Sequence, residues 1–243
     1  MRFKLIIEYD GTDYHGWQMQ PNGQTIQAVL QEAVARLTGE SAGVAAAGRT
    51  DAGVHAHGQV ISFSLQRTVT AETLLCGLNA LTPPDMCVRS AEIVADDFHP
   101  RRAALSRVYV YRIWNGRWVS PFWRRYVCHV RGQLNDEHMR AAAAHLIGEH
   151  DVSSFQAAGC EAKHAVRRVL RSELDRSGDL LTYTIEANGF LRHMVRNVIG
   201  TLVEVGRGNR QADDLPALLA ARDRTQAGPT APACGLCLTQ VKY

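Results

Sequence analysis

Residues 24–37 read QTIQAVLQEAVARL, and their spacing sets the fold class. Ile26, Val29, Leu30, Ala33, Val34 and Leu37 recur at three- and four-residue intervals, which predicts a helix with one apolar face. Outward from this helix the period changes to two. Phe3–Glu8 precedes it as a strand, followed by a Gly- and Asp-bearing turn at Asp10–Asp13. Val60–Leu65 follows it, alternating apolar and polar as a half-buried strand does. Ala71–Leu81 predicts a second helix, ended by Pro83-Pro84, and Met86–Val94 another strand. The order sketches a split βαβ pattern.

A similar order follows. Arg107–Trp114, Val166–Leu174, Leu180–Ala187 and Gly235–Tyr243 predict strands, while Asn135–Ile147, Phe190–Val205 and Leu215–Asp223 predict helices. The expectation is an α+β protein of two ferredoxin-like halves, residues 1–105 and 106–243. With no Pro- or Ser-rich linker at the junction near Phe98–Ser106, the halves are expected to share one continuous, mostly antiparallel sheet. A cleft between them is the natural place for a site.

Composition narrows the function classes. Of 243 residues, 46% are hydrophobic and 21% charged, as in an ordinary globular protein. No apolar run approaches the roughly 18 residues of a membrane helix. Met1–Asp10 reads as a first strand rather than a signal peptide, so a cytoplasmic location is expected. Net charge is only +3. The lysines are Lys4, Lys163 and Lys242, so 24 of the 27 basic residues are arginine. Arginine suits bidentate contacts to phosphates and bases, although an alanine-rich composition also accompanies it. Six cysteines form no paired CxxC sets. Cys234 and Cys237, expected in one strand, would point to opposite faces, against a metal or redox pair.

The segment Gly48–Gln59, GRTDAGVHAHGQ, is the most unusual. Its three glycines imply tight turns or close approach by another group. Arg49, Asp51, His55 and His57 fall within nine positions. One reading is a turn in which Asp51 caps a backbone N–H and Arg49 pairs with a surface acid. Another is a metal site of Asp51, His55 and His57, since His-x-His on a strand presents both rings on one face. The remaining histidines are scattered, which counts against it.

GRTDAGVHAHGQ resembles the signature of the TruA family of tRNA pseudouridine synthases. The likeness continues through Phe3–Trp17 (FKLIIEYDGTDYHGW), Arg107–Tyr111, Asp151–Phe155 (DVSSF), Phe190–Asn197 (FLRHMVRN) and Gly235–Tyr243. It implies an isomerase that breaks the bond from ribose C1′ to uracil N1 and forms one to uracil C5. It also implies Asp51 as nucleophile, attacking C1′ or first taking a ribose proton. Tyr109 would stack on a flipped uridine. By strand period alone Tyr109 and Tyr111 share a face and are not distinguished. Arg196 would lie against the carboxylate, and a cation there favours its charged form. Arg49 would enter the base stack as the uridine leaves. Arg192 and Arg196, four apart, would share a helix face, with Arg192 on phosphate or solvent.

The same resemblance implies tRNA as partner, with uridines 38, 39 and/or 40 of the anticodon stem-loop as targets. It implies an RNA-binding cleft and a homodimer with one tRNA spanning both subunits. No metal, nucleotide or redox cofactor is needed, and the sequence carries no motif for one. Between Arg101 and Arg131, arginines interleave with aromatics, a combination that RNA binding uses. FHPRRAAL at Phe98–Leu105 departs from the family's usual block after Phe-His, and Cys237 stands where an aromatic is frequent. A non-catalytic tRNA-binding relative would show RNA affinity without product.

Overall fold

Side-chain alternation decides the first element. In β1 (Arg2–Tyr9), Phe3, Leu5, Ile7 and Tyr9 are buried while the residues between them are half-exposed, the period of a strand with one covered face. The computed structural model describes residues 1–160, 162 and 164–243. After β1 come α1 (Ile26–Thr38), β2 (Ala45–Ala46), β3 (His55–Ser64), α2 (Ala71–Leu81) and β4 (Met86–Val94). Then follow β5 (Ser106–Trp114), β6 (Cys128–His129), α3 (Asp136–Ala144), β7 (Gly148–Asp151), β8 (Val166–Ser177) and β9 (Leu180–Ala187). The chain closes with α4 (Met194–Gly206), α5 (Leu215–Ala221) and β10 (Leu236–Lys242). The protein is α+β, with mostly antiparallel strands and five α-helices among the described residues. None of these helices is long and apolar enough to cross a membrane. The chain divides into two compact units, Met1–Leu105 with Cys237–Tyr243, and Ser106–Leu236.

In the first unit β1 lies between β3 and β4, antiparallel to both, and β10 runs parallel to β3. The register sets Phe3 opposite Phe63, with ring centroids 6.0 Å apart, and Leu5 opposite Ile61. Helix α1 starts where Thr25 accepts from the Ala28 N–H, and stops at Gly39 in the left-handed conformation, φ 75°. Its Ile26, Leu30, Ala33 and Val34 are buried. It meets α2 at Gly77, where a Cβ would lie 2.5 Å from Leu37 Cδ1.

In the second unit the antiparallel order is β5-β9-β8-β7, with β6 parallel to β5. Helix α4 is covered on most sides, burying Val198, Ile199, Leu202 and Val205. Its buried polar residues are satisfied, as a low-dielectric surrounding demands. Asn197 Nδ2 donates to the Phe155 carbonyl at 2.8 Å, and its Oδ1 accepts from Thr230 Oγ1 at 2.7 Å and Arg224 Nη2 at 3.1 Å. Residues 228–231 cross the helix at Gly200, where a Cβ would overlap the Pro229 carbonyl.

Several boundaries differ from the sequence reading. Helix α4 begins at Met194, not Phe190, because His193 is left-handed (φ 60°) and interrupts the helical path. Strand β3 begins five residues early, at His55, because β1 and β10 supply partners that alternation alone does not reveal. Helix α3 ends at Ala144 rather than Ile147, and β8 runs on to Ser177. Cys234 lies in a 3-10 turn at Ala233–Gly235, so it does not share a strand with Cys237. The short β2, β6 and β7 carry too few residues to display a period.

Gly200→Ala is expected to destabilise the protein by about 2–3 kcal/mol, since overpacking against fixed backbone forces α4 and residues 228–231 apart. Urea unfolding checks this, and an unchanged midpoint contradicts the packing described.

Candidate active site

The loop at residues 48–54 is held by backbone at several points. Asp51–Val54 is a turn closed by the Val54 N–H on the Asp51 carbonyl at 3.2 Å, with Gly53 at φ 76°, a value glycine adopts without strain. The Gly53 N–H donates to the Tyr14 carbonyl at 3.3 Å, and the Trp17 N–H donates to the Thr50 carbonyl at 3.0 Å. Gln59 Nε2 donates to the Gly48 carbonyl at 2.8 Å. The Tyr9 hydroxyl lies 2.8 Å from Thr50 Oγ1. Residues 9–17 and 48–54 are therefore packed backbone against backbone. A Cβ on Gly11 would overlap the Val54 carbonyl, and one on Gly16 would lie 2.8 Å from the Thr50 carbonyl oxygen. Asp51 is left half-buried on this frame, and Arg49 is exposed.

The two motif histidines are engaged by carboxylates in and just after β1. His57 is exposed, with Nδ1 2.6 Å from Glu8 Oε1. His55 is buried, and its Nδ1 lies 3.1 Å from the Gly11 nitrogen and 3.0 Å from Asp10 Oδ1. That single nitrogen accepts from Gly11 when neutral there, or donates to Asp10 when protonated. Among the described residues no three His, Cys, Asp or Glu side chains are grouped to hold a metal ion.

Tyr109, Arg192 and Arg196 belong to the second unit, whereas Arg49 and Asp51 belong to the first. On β5, Tyr109 pairs with Ile185 of β9, and the Phe190 ring meets it edge-on at 5.0 Å and 80°. Tyr109 keeps 8% of its surface exposed and Tyr111 none. The Tyr111 hydroxyl donates to the Pro232 carbonyl at 2.8 Å, and burial pushes its phenol far above the ordinary range. Tyr111 is thus a core residue, and the two tyrosines that spacing leaves equivalent are told apart. Arg196 sits in the first turn of α4, half-buried. Its Nε donates to the Ala231 carbonyl at 2.7 Å, and its own carbonyl accepts from the Ala231 N–H at 3.0 Å. Arg192 is exposed and precedes the helix, so it does not form the expected helical pair with Arg196. The left-handed His193 separates them, and Arg192 Nη1 reaches the Ala158 carbonyl at 3.4 Å instead.

The arginine- and aromatic-rich segment splits in two. Along β5 it packs, and even Arg107 is buried, with Nη1 on the Asn188 carbonyl at 3.0 Å. Beyond β5, Trp118, Phe122, Trp123 and Tyr126 are exposed, together with Arg117, Arg124 and Arg125. Arg117 lies over the Trp118 ring at 5.3 Å. The sequence reading passed over Tyr9, Gly11, Gly16, Thr50 and Gln59 as contributors to the loop. The glycines at 11 and 16 were the available signal, since their spacing marks a backbone that another segment approaches.

A family model described as tRNA pseudouridine synthase matches residues 5–101 and 142–243. Arg49, Asp51, Arg192 and Arg196 fall inside the matched stretches, and Tyr109 falls between them. The chain is 50% identical over 243 residues to tRNA pseudouridine synthase A of Myxococcus xanthus, covering 100% of this chain and 92% of that protein. It is 49% identical over 240 residues to the protein of that name from Geobacter sulfurreducens, covering 99% and 98%. To the one from Moorella thermoacetica it is 47% identical over 242 residues, again covering 99% and 98%.

Gly11→Ala is expected to push Val54 away and loosen the loop, costing about 2 kcal/mol of stability. Trypsin should then cut after the exposed Arg49 several-fold faster than in the parent. Equal cleavage rates contradict the backbone clamp.

Proposed function

The chain belongs to the tRNA pseudouridine synthase family, and from that premise we propose that it isomerises uridine 38, 39 and/or 40 in the anticodon stem-loop of tRNA, with Asp51 as nucleophile. The observation that carries this reading is the clamped loop, which presents one half-buried carboxylate between anchored neighbours. The reaction is an exchange of one glycosidic bond for another. C1′–N1 breaks, the uracil turns in place, and C1′–C5 forms. The C5 hydrogen leaves as a proton and N1 gains one. A carboxylate suits the first step because it can bond C1′ as the base departs, or remove a ribose proton to drive the departure.

The other roles follow from side-chain chemistry. Tyr109, with its ring braced edge-on by Phe190, stacks on the flipped base, and its hydroxyl takes part in removing the C5 proton. Arg196, whose Nε is tied to the Ala231 carbonyl, supplies the cation that pairs with Asp51. Arg49 fills the gap in the RNA stack, a place suited to a planar cation. Arg192 contacts phosphate. The exposed arginines and aromatics at 117–126 add phosphate and stacking contacts of the kind RNA binding uses.

In this reading residues 1–105 carry the nucleophile loop, and residues 106–243 carry the tyrosine strand and the arginine helix. The order β1-α1-β2-β3-α2-β4 supports a ferredoxin-like first half, and the reading adds a second such half, a continuous sheet and a central cleft for RNA. The active form is a cytoplasmic homodimer with one tRNA spanning both subunits, and no cofactor takes part.

The parent protein is expected to form pseudouridine in an unmodified tRNA transcript without added metal, while Asp51→Asn binds the transcript and forms none. Product from the variant rules out the nucleophile. Arg196→Lys is expected to lower turnover by about tenfold with affinity nearly unchanged, because a point charge orients a carboxylate less rigidly than a planar fork. Equal turnover, measured under single-turnover conditions, speaks against the pairing.

A further inference from the structure

Directly behind the Asp51 loop lies a buried polar cluster that the proposed chemistry does not use. Tyr9, Thr50 and Gln59 are all buried, and come from β1, the loop and β3. The Tyr9 hydroxyl and Thr50 Oγ1 are 2.8 Å apart. Gln59 Nε2 holds the Gly48 carbonyl at 2.8 Å, and the same amide acts on the Tyr9 hydroxyl. Among the described residues, Gln59 Oε1 is the buried side-chain oxygen left without a hydrogen-bond partner. A buried orphan acceptor is costly, and an apolar side chain at residue 59 would avoid it. What an apolar side chain would lack there is the amide N–H, whose bond to the Gly48 carbonyl fastens the loop three residues before Asp51.

We propose that Tyr9, Thr50 and Gln59 are positioning residues, which fix the peptide units on the N-terminal side of Asp51 and so aim its carboxylate at the ribose. This rests on the reading of Asp51 as nucleophile. Thr50 is the residue immediately before it. Its carbonyl is taken by the Trp17 N–H and its side chain by Tyr9, so both its backbone and its rotamer are set. On the other side, the Gly53 N–H and the Asp51–Val54 turn hold the following peptides. With both flanks fastened, little backbone freedom remains at Asp51 itself, and a misplacement of about 1 Å in a reacting group can cost about a hundredfold in rate. Tyr9 takes no part as acid or base. Burial pushes its phenol well above the ordinary value, against the hydrogen bonds of Thr50 and Gln59, so it stays a neutral hydroxyl at physiological pH.

The test is single-turnover conversion of an unmodified tRNA transcript, with transcript affinity and melting temperature measured beside it. Tyr9→Phe and Thr50→Val should each slow conversion about tenfold or more, with affinity changed less than about twofold. The double variant should be no slower than the slower single one, because both remove the same hydrogen bond. Thr50→Ser keeps the hydroxyl and should convert at nearly the parent rate. A purely structural role predicts a lower melting temperature with conversion unchanged in the folded fraction, and that result overturns the proposal. So do fully multiplicative losses in the double variant. If Tyr9→Phe does not fold, Thr50→Val against Thr50→Ser carries the same comparison without touching the ring. Asp51→Asn is run alongside. If it retains activity, the nucleophile reading fails and the positioning role falls with it. If it is inactive while Tyr9→Phe and Thr50→Val convert at the parent rate, the positioning role alone fails.

Discussion

The close approach of residues 9–17 to residues 48–54 is the contact on which the first unit's functional surface depends. Two backbones meet there with no side chain between them, at Gly11 and Gly16. Because the contact is backbone to backbone, it holds the carbonyls and N–H groups of both segments at hydrogen-bond distance from each other. The loop before β3 has no ladder of its own, so these bonds replace the satisfaction that secondary structure gives elsewhere. A side chain at either glycine would separate the segments and leave several of those groups unpaired. The loop's order is thus a consequence of two missing Cβ atoms, at Gly11 and Gly16, in a segment distant in sequence.

The second unit solves the same problem with a helix. Buried Asn197 and Thr201 on α4 are answered by Thr230, Arg224 and the Gly228 N–H, and Gly200 lets residues 228–231 lie flat across the helix. Arg196 is tied into that arrangement through Ala231 at both its backbone and its side chain. An arginine so held has fewer rotamers to lose when it meets an anion, which suits it to pairing with a carboxylate. In both units, the backbone at or beside a proposed catalytic residue is bonded to a segment distant in the chain, Thr50 to Trp17 and Arg196 to Ala231.

Much of this was legible in the residues. Local pattern over 24–37, 71–81, 86–94 and 180–187 placed α1, α2, β4 and β9 to within two residues, and the two helices turn one apolar face to the core, burying Ile26, Leu30 and Val34 in α1 and Leu74 and Leu78 in α2. The start of α4 was not legible. Phe190 and Leu191 continue the apolar pattern, yet His193 takes a left-handed conformation, uncommon for any residue but glycine, which that pattern does not announce. That single residue takes Arg192 off the helix and away from the face that carries Arg196. Tyr109 and Tyr111 were also indistinguishable, since a period of two says only that they share a face. Their difference lies in what covers that face, with Pro232 taking the hydroxyl of one and Phe190 bracing the ring of the other.

By itself the sequence determined the class of elements, their order and the chemistry available in GRTDAGVHAHGQ. Those depend on local pattern and residue type, which are written in the chain. Only the tertiary structure decided that β3 starts at His55, that Thr50 faces Tyr9, and that Gln59 reaches back to Gly48. Each of these pairs residues from segments separated in the chain. Their partners are chosen by packing and by the need to satisfy buried polar groups, which no local pattern encodes.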